Sequence, residues 1–141
     1  IASGHDVILV DAGDAIQGEA IGTLSDGNYL VDIMNKTGYD LAVPGNHEFD
    51  YGMKKFLSLS EKAEYEYISC NFMDLTSDKS VFDAYVIREL GGKRLLLWGY
   101  APRGRSLRPR RHISKMRTEN SFTDFNRILT GQRCIPVCRK Q

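Results

Sequence analysis

Two short apolar runs, each followed at once by polar and glycine residues, constrain the fold of this chain more than any other feature. Val7–Val10 is mostly β-branched and ends at Asp11, and Leu41–Val43 is stopped by Pro44 and Gly45. Such runs are typical of buried strands that lead into turns. With the segment between them they span about the length of a strand–helix–strand unit.

The intervening segment has a helical pattern. Asp26 can cap a helix and Gly38 is well placed to end it. Its expected apolar face has three- and four-residue spacing and comprises Leu30, Ile33, Met34 and Thr37. A strand–helix–strand unit has a right-handed crossover and parallel strands. Asp14 and Asn46 would then lie just past the carboxyl ends of two such strands, where open α/β sheets place their ligands.

Three further elements are expected before residue 100. The first is a helix over Tyr51–Glu64, with Met53, Phe56, Leu57 and Ala63 facing inward. The second is a strand at Tyr67–Cys70. The third is a hairpin whose strands, Ala84–Leu90 and Arg94–Trp98, flank Gly91-Gly92-Lys93. Alternation of strands and helices is typical of an α/β fold.

Charge and apolar content both change near residue 100. Residues 1–100 hold 8 Lys or Arg and 16 Asp or Glu, whereas residues 101–141 hold 11 and 2. The last third is also poor in apolar residues, so it has little with which to build a core. The three cysteines include no C-x-x-C pair, which supports neither a disulfide framework nor a zinc knuckle. No apolar run approaches the length of a transmembrane segment.

Asp14 and Asn46 each have two interpretations. Asp14 follows Gly13, where an aspartate is commonly a turn residue or a helix cap. Its carboxylate could equally bridge two cations about 3.5 to 4 Å apart. Asn46 is a common turn former, yet its amide oxygen is a hard neutral donor suited to Mn²⁺, Mg²⁺ or Zn²⁺.

His47, Glu48 and Asp50 follow in the same loop. His47 could be a hydrogen-bonded core histidine, although a Pro- and Gly-bounded loop makes apolar burial a poor fit. Asp50 is three residues on, so a helix beginning here would put it beside His47 and raise the pKa of the imidazole. We interpret Glu48 as a structural carboxylate at a helix start. Tyr51 rules out the H-E-x-x-H zinc-protease pattern.

These motifs resemble a known family. Val10-Asp11-Ala12-Gly13-Asp14-Ala15-Ile16-Gln17-Gly18, Met34-Asn35-x-x-Gly38-Tyr39-Asp40 and Gly45-Asn46-His47-Glu48-Phe49-Asp50-Tyr51-Gly52 are similar, in order and spacing, to the 5′-nucleotidase branch of the calcineurin-like metallophosphoesterases. The likeness covers about residues 5–100. It implies an incomplete metallophosphoesterase sandwich of βαβ units, with a mixed sheet and helices outside.

The resemblance also implies a chemistry. The residue matching Asp14 bridges two divalent ions and that matching Asn46 binds one of them. His47 matches a histidine that stabilises the transition state or protonates the leaving oxygen, and Asp50 matches its carboxylate partner. A metal-activated water would hydrolyse phosphate monoesters of nucleotides or related phosphoesters. Export to the periplasm, cell wall or exterior is common in the family, and the oligomeric state stays open.

The sequence departs from the family in its ligand set. An Asp-x-His pair from a preceding strand and two later histidines have no counterpart here, and His112 lacks the family's Gly-His-x-His context. Two protein ligands rarely fix two ions, so we expect residues 1–100 to be part of a catalytic domain and the chain alone to be a poor enzyme.

Residues 101–141 are expected to form a basic, poorly ordered tail. Seven of the fifteen residues in Arg103–Arg117 are Arg or Lys and none is acidic. One hypothesis is a reading-frame slip near residue 100, in which case the adjacent frame of the coding DNA would restore a family-like continuation. The alternative is a non-catalytic protein that binds nucleic acid or another polyanion through residues 103–117.

Overall fold

The computed structural model describes residues 6–74 and 76–102, together with the backbone of 116–118. The chain order of helices and strands is β1 (Val10–Asp11), α1 (Glu19–Ser25), α2 (Asn28–Thr37), β2 (Leu41–Ala42), a 3₁₀ helix (His47–Phe49), α3 (Met53–Lys62), β3 (Glu66–Tyr67), β4 (Phe72–Asp74), β5 (Lys79–Ser80), β6 (Tyr85–Leu90), β7 (Lys93–Trp98) and β8 (Met116–Thr118). This confirms the α/β architecture. None of the described helices has the length and apolar character that crossing a bilayer requires.

Strands β1, β2 and β3 form a parallel sheet in chain order. Val10 pairs with Leu41 in the β1–β2 register. The ladder continues past both strands, since the Val43 N–H donates to the Asp11 carbonyl over 3.1 Å. The carboxyl ends of β1 and β2 are therefore neighbours at one sheet edge, as the strand–helix–strand pattern predicts.

The crossover between β1 and β2 differs in detail from the sequence expectation. It contains two helices, because Asp26 adopts a left-handed conformation and ends α1 rather than starting α2. Gly27 precedes α2 and Gly38 ends it in a left-handed cap, as predicted. The buried side chains of α2 are Val31 and Met34, whereas Ile33 is 47% exposed. Met34 is thus buried as predicted, whereas the packed face includes Val31 rather than Ile33 and Thr37.

Helix α3 contributes the centre of the core. Met53 and Phe56 are buried as predicted, and Leu57 and Ala63 are partly buried against the same core. Leu59 is also fully buried, although the sequence pattern did not include it. The ring centroid of Phe56 is 5.1 Å from that of Phe49 and 5.3 Å from that of Tyr67, and both pairs have edge-to-face geometry. Edge-to-face contacts are a favoured arrangement of aromatic pairs, so this cluster joins α3 to β3 and to the 3₁₀ helix.

The hairpin prediction is confirmed. Strands β6 and β7 are antiparallel, with Tyr85 opposite Trp98 and Leu90 opposite Lys93. Gly91 and Gly92 make the turn with φ of 57° and 72°. Two successive positive φ values are what a two-residue hairpin turn requires, and glycine adopts them without a steric penalty.

Two strand predictions need correction. Val7 and Val10 are about half exposed rather than buried, since β1 has a described neighbour on one side alone. The third strand ends at Tyr67 instead of Cys70. Strand β8 pairs with β4, and its first two residues belong to the basic segment 103–117. Residues 103–115 and 119–141, with His112 and most of that segment, lie outside the described residues.

Candidate active site

The loops that follow β1 and β2 meet directly. The His47 backbone N–H donates to Asp14 Oδ1 over 2.8 Å, although the two residues are 33 positions apart in sequence. Asn46 immediately precedes His47 and is half-buried. Asp14, Asn46 and His47 are thus brought to one sheet edge, which is the arrangement predicted from the strand pattern.

Asp14 and Asn46 both lie in loop segments that follow a strand. Asp14 is exposed and has a positive φ of 69°, a conformation that aspartate tolerates better than most residues and that suits a turn. Asn46 occupies the position before the 3₁₀ helix, yet its side chain makes no capping hydrogen bond to that helix. Capping of that helix therefore does not account for the Asn46 amide group.

His47 and Asp50 form a side-chain pair. His47 Nδ1 lies 2.7 Å from Asp50 Oδ2. His47 is the first residue of the 3₁₀ helix, and Asp50 is the residue just after its end. Side chains three residues apart are eclipsed in such a helix, so the two lie on the same side. A carboxylate accepts hydrogen bonds, so Nδ1 carries the proton and Nε2 remains for other contacts. This bond raises the pKa of His47 above 6.5, and the His47 side chain is 46% exposed.

Glu48 turns away from this pair into the protein. Its relative exposure is 1%, and its carboxylate accepts three backbone hydrogen bonds. The donors are the N–H groups of Asp14 at 2.8 Å, Ala15 at 2.8 Å and Gly45 at 2.6 Å. Burial raises the pKa of Glu48, and the three N–H donors oppose that rise. Glu48 is therefore structural, but it joins two loops rather than beginning a helix.

Two glycines permit the close approach of the loops. A Cβ added to Gly13 would lie 2.6 Å from the Gly45 nitrogen, and one added to Gly45 would overlap the Asp14 carboxylate. Gly13 also has a φ of 103°, a conformation that side-chain-bearing residues rarely adopt. The two loops can make this contact because neither carries a side chain there.

The oxygen donors of Asp14 and Asn46 are of the kind that hard divalent cations prefer. Within residues 6–74 and 76–102, however, no group of three or more His, Cys, Asp or Glu side chains is arranged to hold an ion. In their chemistry the oxygen donors of Asp14 and Asn46 fit a divalent cation.

Sequence reasoning identified four of the residues at this edge and missed what Glu48 does. The spacing of His47 and Asp50 predicts their contact because it is local. The bonds from Glu48 to Asp14 and Ala15 join positions more than 30 residues apart. No periodicity or motif spacing signals such a contact.

The chain is similar to a known protein family and to several characterised proteins. The family model described as calcineurin-like phosphoesterase matches residues 1–131, which is further than the motifs reach. The 2′,3′-cyclic-nucleotide 2′-phosphodiesterase/3′-nucleotidase of Salmonella typhimurium is 28% identical over 95% of this chain and 23% of its own length. The snake venom 5′-nucleotidase of Gloydius brevicauda is 34% identical over 70% of this chain and 18% of its own length.

The fold has solved counterparts as well. The sulfate thiohydrolase SoxB of Thermus thermophilus superposes with a TM-score of 0.78 at 19% identity, over 88% of this chain and 23% of that protein. The chain thus spans about a fifth of the length of the curated relatives it matches. Since the family model covers most of the 141 residues, the chain belongs to the calcineurin-like phosphoesterase family.

Proposed function

We propose that this chain is part of a metal-dependent hydrolase that cleaves phosphate monoesters of nucleotides or related phosphoesters. The observation that supports it most is the hydrogen bond from His47 N–H to Asp14 Oδ1, because it joins both motif loops at one sheet edge. A candidate metal donor and a candidate proton-transfer group are thereby neighbours. This is the arrangement that in-line displacement at phosphorus requires.

Asp14 and Asn46 are the proposed metal ligands of this chain. Asp14 would bridge two ions and Asn46 would bind one of them. The other ligands of the two ions would be residues without a counterpart among those identified in this chain. Zn²⁺, Mn²⁺ and Mg²⁺ all accept oxygen donors of this type. When bound, such ions would activate a water and neutralise charge on the phosphoryl oxygens.

His47 and Asp50 have complementary proposed functions. The bond from Nδ1 to Asp50 orients the ring and favours its protonated form. A protonated His47 can donate a hydrogen bond to a phosphoryl oxygen or a proton to the leaving oxygen. Asp50 holds the imidazole in place and has no direct contact with the phosphate in this scheme.

The substrate class is supported by the relatives, several of which are named as nucleotidases. The same fold also occurs in a sulfate thiohydrolase, so the fold alone does not select the substrate. A secreted location is likewise a proposal, supported by the family resemblance and by a relative named as a venom enzyme.

The test is hydrolysis of 5′-AMP by the full-length protein in the presence of Mn²⁺ or Zn²⁺. We expect Asp14→Ala and His47→Ala each to lower kcat/KM by about 100-fold or more, since each removes charge stabilisation at the reacting phosphate. Asp32→Ala is the matched control, because Asp32 forms an exposed ion pair with Lys62. Normal hydrolysis by both active-site variants would contradict the proposal.

A further inference from the structure

Glu48 is a nearly fully buried carboxylate that is neither a candidate metal ligand nor part of the His47–Asp50 pair. Burial of a charged group is costly unless hydrogen bonds compensate for the lost water. Three backbone N–H groups provide that compensation here, and bonds to an ionised acceptor are stronger than neutral ones. Such an arrangement calls for an explanation beyond filling space.

The geometry of the three donors is specific. Glu48 Oε2 accepts from Asp14 N–H in the loop after β1 and from Gly45 N–H in the loop after β2. One oxygen atom therefore touches the backbone of both loops. Oε1 accepts from Ala15 N–H, which fixes the direction of the first loop as well as its position.

The Glu48 hydrogen bonds lie beyond the end of the β1–β2 ladder, where backbone pairing no longer sets the distance between the two loops. Val43 bonds to Asp11 just before the two loops begin. Beyond that point, the Glu48 bonds fix the Asp14 backbone against the second loop, and the same loop returns a bond from His47 N–H to Asp14 Oδ1. With its backbone held in this register, the Asp14 side chain accepts the bond from the His47 N–H.

We propose that Glu48 is a positioning residue that locks the two loops in register, so that Asp14, Asn46 and His47 face the same phosphate and metal site. It acts through Asp14 and Gly45 and touches no reacting atom. For the metal-binding consequence, this inference rests on the proposed function. The register itself can be measured without any metal.

Glu48→Gln tests the inference in the 141-residue chain. The amide nitrogen of glutamine donates and cannot accept, so at least one of the three backbone donors loses its partner. We expect hydrogen exchange at the His47 amide to rise about 10-fold relative to the Phe56 amide of α3, which corrects for any global loss of stability. Glu48 does not bond the His47 amide, so the change would report the register and not a lost direct contact.

The second readout is Mn²⁺ alone as a probe, followed by paramagnetic broadening of the Asp14 and Asn46 amide signals. Groups that support metal ligands typically change metal affinity by about 10 to 100-fold, and we expect a loss in this range for Glu48→Gln. Glu66→Gln is the control, since Glu66 is an exposed acid paired with Arg88. It should leave both readouts unchanged.

The two proposals can fail separately. If the unaltered chain shows Mn²⁺ broadening that Asp14→Ala does not reduce, the proposed function is contradicted. In that case, or where the unaltered chain shows no broadening, the His47 exchange alone decides on Glu48. A folded Glu48→Gln variant with unchanged His47 exchange would overturn the positioning inference, as would unchanged Mn²⁺ affinity where the unaltered chain binds. If Glu48→Gln does not fold, Glu48→Asp is the second variant. It keeps the negative charge but has a shorter side chain, so we expect hydrogen exchange at the His47 amide to rise in this variant as well.

Discussion

At the scale of single residues, the pairing of His47 with Asp50 makes a prediction about pH. The hydrogen bond to Asp50 is the largest cause of the raised His47 pKa. A group whose pKa is higher in the folded state stabilises that state fully below its ordinary value near 6.5. This contribution is lost as the pH rises through the folded-state pKa.

Asp50→Asn should lower the pKa of His47 towards 6.5 in the metal-free chain, because the neutral amide no longer favours the imidazolium. The measurement is a proton NMR titration of the imidazole signals. The titration of His47 in the unaltered chain provides the reference. An unaltered His47 pKa would mean that the contact with Asp50 does not form in solution.

The contrast between His47 and Glu48 explains how much of the site the sequence could reveal. His47 and Asp50 are three residues apart, so local geometry alone brings them together. Glu48 lies between His47 and Phe49 in the same motif. Local sequence alone indicates a structural carboxylate at the start of a helix. Two of its three partners, Asp14 and Ala15, belong to the loop after β1, and local sequence does not encode that contact.

At the scale of elements, α3 and the aromatic side chains around it hold the site-bearing loops on the core. Phe56 is fully buried and contacts the rings of Phe49, Tyr67, Phe72 and Phe82. Phe49 belongs to the same 3₁₀ helix as His47 and Glu48. Packing in this cluster therefore bears on the stability of the fold and on the position of the site.

Phe56→Ala should destabilise the folded state by about 3 to 5 kcal/mol, because it removes a buried ring and leaves a cavity that neighbours can fill only in part. Urea denaturation followed by circular dichroism measures the change. Leu24→Ala is the control, since Leu24 is 84% exposed on α1 and should shift the midpoint little. Equal effects of the two substitutions would contradict the core described for α3.

Element boundaries show where sequence patterns lose information. The β6–β7 hairpin was predicted from Gly91-Gly92, since a two-residue turn with positive φ values has a strict local requirement. Helix α1 was missed, and Asp26 was assigned to the wrong helix end. An aspartate can start a helix or adopt a left-handed cap, and its neighbours in space decide between the two.

At the scale of the whole molecule, the proposal that Asp14 and Asn46 are the metal ligands of this chain predicts how the chain behaves alone. Two protein donors leave the geometry of two ions undetermined. We expect the purified 141-residue chain to hydrolyse 5′-AMP at no more than the background rate with Mn²⁺ or Zn²⁺ present. Phosphate release measures this, with the full-length protein as the positive control. Turnover by the 141-residue chain that disappears in Asp14→Ala would refute the expectation.

The change of charge near residue 100 predicts that the chain is divided into a catalytic part and a basic tail. This division remains a prediction. The basic segment 103–117 lies almost entirely outside the described residues, apart from the backbone of Met116 and Arg117 in β8. Polyanion binding through this segment and a reading-frame slip are both still open. Sequencing the coding DNA separates them, because a slip predicts a family-like continuation in the adjacent frame.

The sequence by itself determined the α/β class, the family resemblance and the two loops that carry Asp14 and Asn46–Asp50. These depend on short apolar runs, turn residues and motif spacing, all of which are local properties of the chain. Tertiary structure alone decided that Val10 and Ile33 are exposed and that Glu48 joins the two loops. Burial and long-range hydrogen bonds depend on which elements become neighbours, and no local pattern specifies that.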